Sequence, residues 1–459
     1  MSENKEERLS EIIRTTKGKK LQNKYFSKVD KPIPFEGKTS KNPLAFKYYD
    51  KNQKVGKLTM GEHLRFAVAY WHTFMNSGSD IFGAPAFVRE WHKSTNPIDR
   101  AKETMDAAFE FFQKLGVDYY CFHDRDIAPE GETFSESCKN LEVIVDYAKN
   151  KQKETGLKLL WGTANLFSNP IYAQGAGTSP NANIMALAAA QVKNAIDATH
   201  TLGGENYVFW GGREGYETLL NTNMKREQEQ LARFLHMAVD YKKKIGFKGQ
   251  FLIEPKPCEP MKHQYDSDAA TALYFLKEYD LMDHFKLNIE ANHATLAGSS
   301  FQHELTVASA AGRLGSVDAN RGDTLLGWDT DQFPTDIYDT TFAMLVILNQ
   351  NGLGTGGLNF DAKLRRSSND PTDLFYAHIG GMDTFARGLL IAHQIIEDKQ
   401  ISNFIEERYS SFNSGIGAKI LSKQTGLEEI EKWVLEQSAP TLPSGRQEML
   451  ENIINSYIQ

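Results

Sequence analysis

The chain is 459 residues long, with 41% hydrophobic, 11% aromatic and 24% charged side chains. That is a folded globular profile with room for one large domain or two to three ordinary ones. Its 52 basic and 59 acidic residues leave a formal net charge of −7, which argues against a nucleic-acid binder that works by neutralising phosphates.

Residues 1–60 are polar, Lys-rich and punctuated by Pro and Gly, and they read as an arm. The opening MSENKEERLSEIIRTTKGKK is charged throughout and lacks a secretory apolar core. The longest apolar run, Phe342 to Leu348, is far short of a membrane span. The three cysteines, Cys121, Cys138 and Cys258, form neither a disulfide framework nor a zinc knuckle. A cytoplasmic protein with no membrane partner is the expectation.

From 61 to 385, short apolar β-rich runs alternate eight times with stretches of helical period. The runs are FAVAYW (66–71), DYYCFH (118–123), KLLWGT (158–163), NYVFWG (206–211), QFLIEP (250–255), KLNIEA (286–291), LGSVDA (314–319) and GLNFDA (357–362). Unbroken apolar strands are those that helices cover. Eight β-then-α units are the arithmetic of an α/β protein of the (β/α)8 TIM-barrel class. An open doubly wound sheet would place a Gly-rich phosphate turn after its first strand, and FAVAYWHTF has none. Gly211-Gly212 reads as tight packing. Residues 386–459 read as a helical tail with charged faces, suited to subunit contacts.

In such a barrel, chemistry sits at the C-terminal ends of the strands. Run two ends in His123, with Asp126 close behind. Runs five to eight end in Glu254, Glu290 (His293 three further on), Asp318 and Asp361. Asp329 and Asp331, in WDTDQF, follow run seven on the same rim. Alone, Asp-X-Asp before a proline is ordinary turn chemistry. Six carboxylates and an imidazole on one rim would repel one another strongly unless cations sit between them. Carboxylate-rich ligation with one imidazole suits Mg²⁺, Mn²⁺ or Co²⁺, and seven ligands exceed one ion's needs, so two divalent ions are expected.

The stretches FHDRD (122–126), NYVFWGGREGYE (206–217), IEPKPCEP (253–260), NIEANHATLAG (288–298), DANRGD (318–323), GWDTDQFP (327–334) and GGLNFDAKLRR (356–366) resemble D-xylose isomerase, also called glucose isomerase. SKNPLAFKYYD (40–50) and HLRFAVAYWHTF (63–74) resemble its longer, class II form. The resemblance runs from about residue 24 to the end; the residues before it have no counterpart.

The resemblance implies a TIM-barrel, metal-dependent aldose–ketose isomerase. It would interconvert D-xylose and D-xylulose, and D-glucose and D-fructose less well, by ring opening and a metal-assisted 1,2-hydride shift. Glu254, Glu290, Asp318 and Asp361 would hold the first metal, and Glu290, His293, Asp329 and Asp331 the second. His123, oriented by Asp126, would assist ring opening, and Lys256 would hydrogen-bond the oxygen on carbon 1. Trp71, Trp161, Thr163, Phe167 and Trp210 would wall the sugar, with Phe82 entering from a neighbouring subunit of a homotetramer. Met75 and Asn76 depart from some members, which place a tryptophan near the rim; that bears on substrate preference rather than on the reaction.

Overall fold

The computed structural model describes residues 23–458. The first part of the expected arm, residues 1–22, lies outside them, as do the residues read as having no family counterpart before about 24, apart from Asn23. Helix starts and stops follow local chemistry. The Asn96 side chain accepts from the Ile98 and Asp99 amides, with Pro97 at the first turn, and opens a helix that stops at left-handed Gly116. Thr133 does the same for the next helix, which stops at Gly156. Asp268, Ser300 and Asp336 cap three more.

The eight runs become β1 (Phe66–Ala69), β2 (Tyr119–His123), β3 (Lys158–Thr163), β4 (Asn206–Trp210), β5 (Gln250–Glu254), β6 (Phe285–Glu290), β7 (Leu314–Asp318) and β8 (Leu358–Phe360). All pair in parallel with their sequence neighbours, and β8 pairs with β1 to close the barrel. Eight helices alternate with them: α1 (Pro97–Leu115), α2 (Phe134–Thr155), α3 (Ala182–Thr201), α4 (Met224–Ile245), α5 (Ala269–Glu278), α6 (Phe301–Ala310), α7 (Ile337–Asn349) and α8 (Asp373–Asp398). A continuous layer of buried apolar side chains, such as Phe112, Leu159, Phe251 and Leu389, joins sheet to helices.

The first run, read as extended to Trp71, ends as a strand at Ala69, and Trp71–Met75 winds into one π turn. Apolar character at a strand end says nothing about where pairing stops. Leaving the ladder here carries Trp71 and His72 to the barrel mouth.

Two carboxylates, buried Glu110 and half-buried Asp383, fasten the chain before β1. Glu110 on α1 accepts from the amides of Lys24, Tyr25 and Phe26, and pairs with Lys114 at 2.8 Å. Asp383 on α8 accepts from the amides of Lys47, Tyr48 and Tyr49. Helix α8 runs unbroken across the 385/386 line drawn from the sequence, and the chain turns only at left-handed Lys399. Beyond it lie α9 (Gln400–Tyr409), α10 (Gly415–Leu421), α11 (Leu427–Leu435) and α12 (Gln447–Tyr457). Helix α12 returns to the barrel, burying Ile454 against Ile391 and Ile395. Within the described chain, α9 and α11 bury none of their side chains. No helix among the described residues is long and apolar enough to cross a membrane.

Candidate active site

Strand register sets the mouth of the barrel. His123 pairs with Thr163, Trp210 with Glu254, and Glu290 with Asp318, so the last residues of neighbouring strands stand side by side. They face a cavity of about 390 Å³ whose lining includes His123, Trp210, Glu254, Lys256, His293 and Asp361. Aromatic rings form one wall: Trp71 lies 4.5 Å from His123 and 5.4 Å from Trp161, and Phe167 lies 5.3 Å from His123 and 4.6 Å from Trp210. The Thr163 hydroxyl donates to the Val208 carbonyl at 2.5 Å. Phe82 stands apart on the 76–88 loop, 88% exposed.

His123 Nδ1 lies 2.8 Å from Asp126 Oδ2, and the same oxygen accepts the His123 amide. Burial opposes charge on this imidazole, but Asp126 outweighs it and raises its pKa. That fixes the ring through Nδ1 and reserves Nε2 for other partners. Lys256 Nζ sits 2.7 Å from Asp329 Oδ2 and 5.2 Å above the Trp210 ring.

The carboxylates form overlapping groups. Ligand atoms of Glu254, Glu290, Asp318 and Asp361 lie within 4.8 Å of one another, as do those of Glu254, Glu290 and His293, and of Glu290, Asp329 and Asp331. Burial, then Asp318 and Asp361, pushes the Glu254 carboxyl well above the usual range. Burial and Asp361 push Asp318 up to about 7, and burial and Asp329 raise Glu290. Burial also opposes charge on Asp329, yet His293 and Lys256 hold it well below the ordinary range.

The WDTDQF loop brings its two aspartates together through its backbone. The Asn292 side-chain oxygen accepts from the Thr330 amide and hydroxyl and from the Asp331 amide. Asp331 adopts a left-handed φ of 43°, a conformation held here by Lys363 N and Arg365 donating to its carbonyl. An extended reading would put both carboxylates on one face; the left-handed turn does that work instead.

This donor set fits a divalent cation. His293 Nδ1 and Asp329 Oδ1 are buried without a hydrogen-bond partner among the described residues, and buried acids of this density call for positive charge. A xylose isomerase of Geobacillus stearothermophilus is 60% identical over 434 residues, covering 95% of this chain and 98% of that protein. The chain belongs to the xylose isomerase family. The xylose isomerase of Thermotoga maritima is 57% identical over the same shares of chain and relative. A family model described as the XylA2 C-terminal domain matches residues 405–458. Among solved structures, a D-psicose 3-epimerase of Clostridium cellulolyticum is similar at 12% identity, with a TM-score of 0.49 over 71% of this chain and 99% of that one.

As a xylose isomerase family member the chain is an enzyme, and several groups at its mouth escape a reading of strand ends. Asn288 donates to both Glu254 and Asp318, Asn359 to Asp318, and Asn320 to Glu290. Asn288 and Asn359 each stand two residues before an acid, so the period of a strand could have revealed them. Lys363 Nζ reaches Asp331 Oδ2 at 2.6 Å. His72 Nε2 lies 2.8 Å from Asp361 and 3.4 Å from Asp331. Burial lowers the His72 pKa, but Asp361 and Asp331 overcome it and raise it to about 9. His72 had no sequence signal, because its partners lie some 260 to 290 residues away. Met75 is 41% exposed, and the Asn76 side chain accepts the Gly78 amide.

Proposed function

We propose that this xylose isomerase interconverts D-xylose and D-xylulose, and D-glucose and D-fructose less well, in the cavity at the barrel mouth. One observation carries the reading: two overlapping groups of buried ligand atoms share a rim with the His123–Asp126 pair and Lys256. Glu254, Glu290, Asp318 and Asp361 would hold one divalent ion, and Glu290, His293, Asp329 and Asp331 a second, with oxygen-rich ligation suited to Mg²⁺, Mn²⁺ or Co²⁺. When bound, such ions polarise adjacent sugar oxygens and accommodate the charge that develops on them.

The chain's own groups do the rest. His123 Nε2 takes the anomeric hydroxyl proton and returns a proton to the ring oxygen, opening the ring, while Asp126 holds the imidazole in place. Lys256 Nζ donates to the oxygen on carbon 1. A hydride moves from carbon 2 to carbon 1, and the proton of the carbon-2 hydroxyl ends on oxygen 1, so no atom is gained or lost. Trp71, Trp161, Thr163, Phe167 and Trp210 shape the sugar's seat and limit its length.

The chain divides into an arm (1–60), a catalytic barrel (61–385) and a tail (386–459) for subunit contacts. A homotetramer, with Phe82 entering a neighbour's site, is supported by the exposed apolar side chains Ile81, Phe82, Leu427 and Leu435. The three unpaired cysteines fit the cytoplasm.

The test strips the protein with chelator, restores each ion in turn, and follows D-xylose with D-glucose alongside. Ion-dependent turnover favouring xylose is expected. Absence of turnover with every ion, in protein shown to be folded, would sink the reading.

A further inference from the structure

A π turn inside a barrel loop is an uncommon interruption that often marks a functional site. This one sets two consecutive side chains against one carboxylate. Trp71 Nε1 donates to Asp361 Oδ1 at 3.0 Å, and His72 Nε2 meets the same oxygen at 2.8 Å. The same His72 nitrogen lies 3.4 Å from Asp331 Oδ2. Asp361 belongs to the first carboxylate group, reaching it from the end of β8. Asp331 belongs to the second and sits in the loop after β7. One imidazole nitrogen therefore spans both groups.

We propose that His72 is a positioning residue that ties the two cation sites together by orienting one carboxylate ligand of each. The inference rests on the two-cation reading above. With Asp361 Oδ1 engaged twice, Oδ2 is the oxygen turned toward an ion. Without His72 the Asp361 carboxylate is held by Trp71 alone, and Asp331 loses its link to the first site. His72 also stands close enough to Asp331 and Asp361 to join them around a single ion. The orienting role is favoured because a nitrogen whose N–H is given to a carboxylate has no lone pair left to ligate. Removing partners that orient metal ligands costs about 10- to 100-fold in affinity.

The experiment compares the full-length wild type with His72→Leu and His72→Gln, each stripped and titrated with Co²⁺ by calorimetry and by visible absorption. Wild type is expected to bind two ions. His72→Leu should bind both about 10- to 100-fold more weakly with unchanged absorption bands, and His72→Gln, which restores one N–H, should recover part of the loss. Unchanged affinities, or a loss confined to one site, overturn the proposal. So does an altered band pattern, which would make His72 a ligand. If His72→Leu does not fold, His72→Gln decides: weakening at both sites supports the proposal, and wild-type affinity refutes it. A wild type that binds no Co²⁺ overturns the two-cation reading instead, so the two failures are separable.

Discussion

The two carboxylate groups share Glu290 but are balanced in opposite ways. Around the first, the donors to Glu254 and Asp318 are amides, from Asn288 and Asn359. Amides satisfy hydrogen bonds without cancelling charge, so burial and mutual repulsion keep Glu254 high and bring Asp318 to about 7. Asp361, facing His72, is the exception: its carboxyl stays low in spite of burial. Around the second group the protein supplies its own cations, with Lys256 on Asp329 and Lys363 on Asp331. Glu254 and Asp318 therefore keep their charge only beside a cation, and otherwise give it up to protons. The second is already partly compensated, and an ion arriving there competes with lysines.

The comparison breaks most completely at the residue both groups share. Glu290→Gln should empty both sites and lower kcat by on the order of 10³-fold, the equivalent of several kcal/mol of lost charge stabilisation; turnover and bound-metal analysis read this together. Retention of one tightly bound ion would show the groups to be less interdependent than their geometry implies.

A pH series sharpens the contrast next. Asp318 must be ionised to ligate, and its pKa lies near 7. Below that value an incoming ion has to expel a proton from Asp318 as well as from Glu254 and Glu290, which burial and their neighbours also raise, so affinity at the first site should climb by at least about tenfold per pH unit up to about 7. Asp329, held well below the carboxylate range, adds no such slope, so the second site should show a shallower rise, carried by Glu290 and Asp331, which burial and Asp329 raise. Co²⁺ titrations between pH 5.5 and 8, on the order of one experiment per half unit, separate the two.

Smaller effects isolate the second group. Lys363→Met removes a cation that competes for Asp331 Oδ2 and should tighten the second ion by about fivefold, a screened single-charge effect, leaving the first unchanged. Thr330→Val removes the hydroxyl that donates to Asn292 and should cost about 1 kcal/mol in thermal unfolding. The weakening of ion binding should again be confined to the second site.

The barrel was legible because each strand is covered on both faces and reads as an unbroken apolar run. The acids gathered at the barrel mouth were legible because they recur where those runs end. What stayed hidden came from closure of the barrel. His72 meets Asp361 only because β8 pairs with β1, and no local pattern announces a partner so far along the chain. The left-handed turn at Asp331 was equally silent, since most aspartates, even those in turns, keep a negative φ. Helix α8 hid the end of the barrel, because its apolar stripe continues through Leu389, Ile391 and Ile395 past the point where the strand pattern stops.

The chain before β1 has a consequence for that closure. Phe26 rests 5.6 Å from Phe111 on α1 and 5.4 Å from Phe375 on α8, which themselves lie 4.5 Å apart. Glu110, which grips the backbone at Phe26 itself, and Asp383, which grips it at Lys47 to Tyr49, stand on the same two helices. The first and last turns of the barrel wall are thus laced by one strap, with a wedge of aromatic rings at its buckle. A ring of staves is weakest where its ends meet, because that joint alone must be found across the whole length of the chain. Here the lacing is carried by residues that precede the barrel in the chain, ready to fasten the hoop when the last stave arrives.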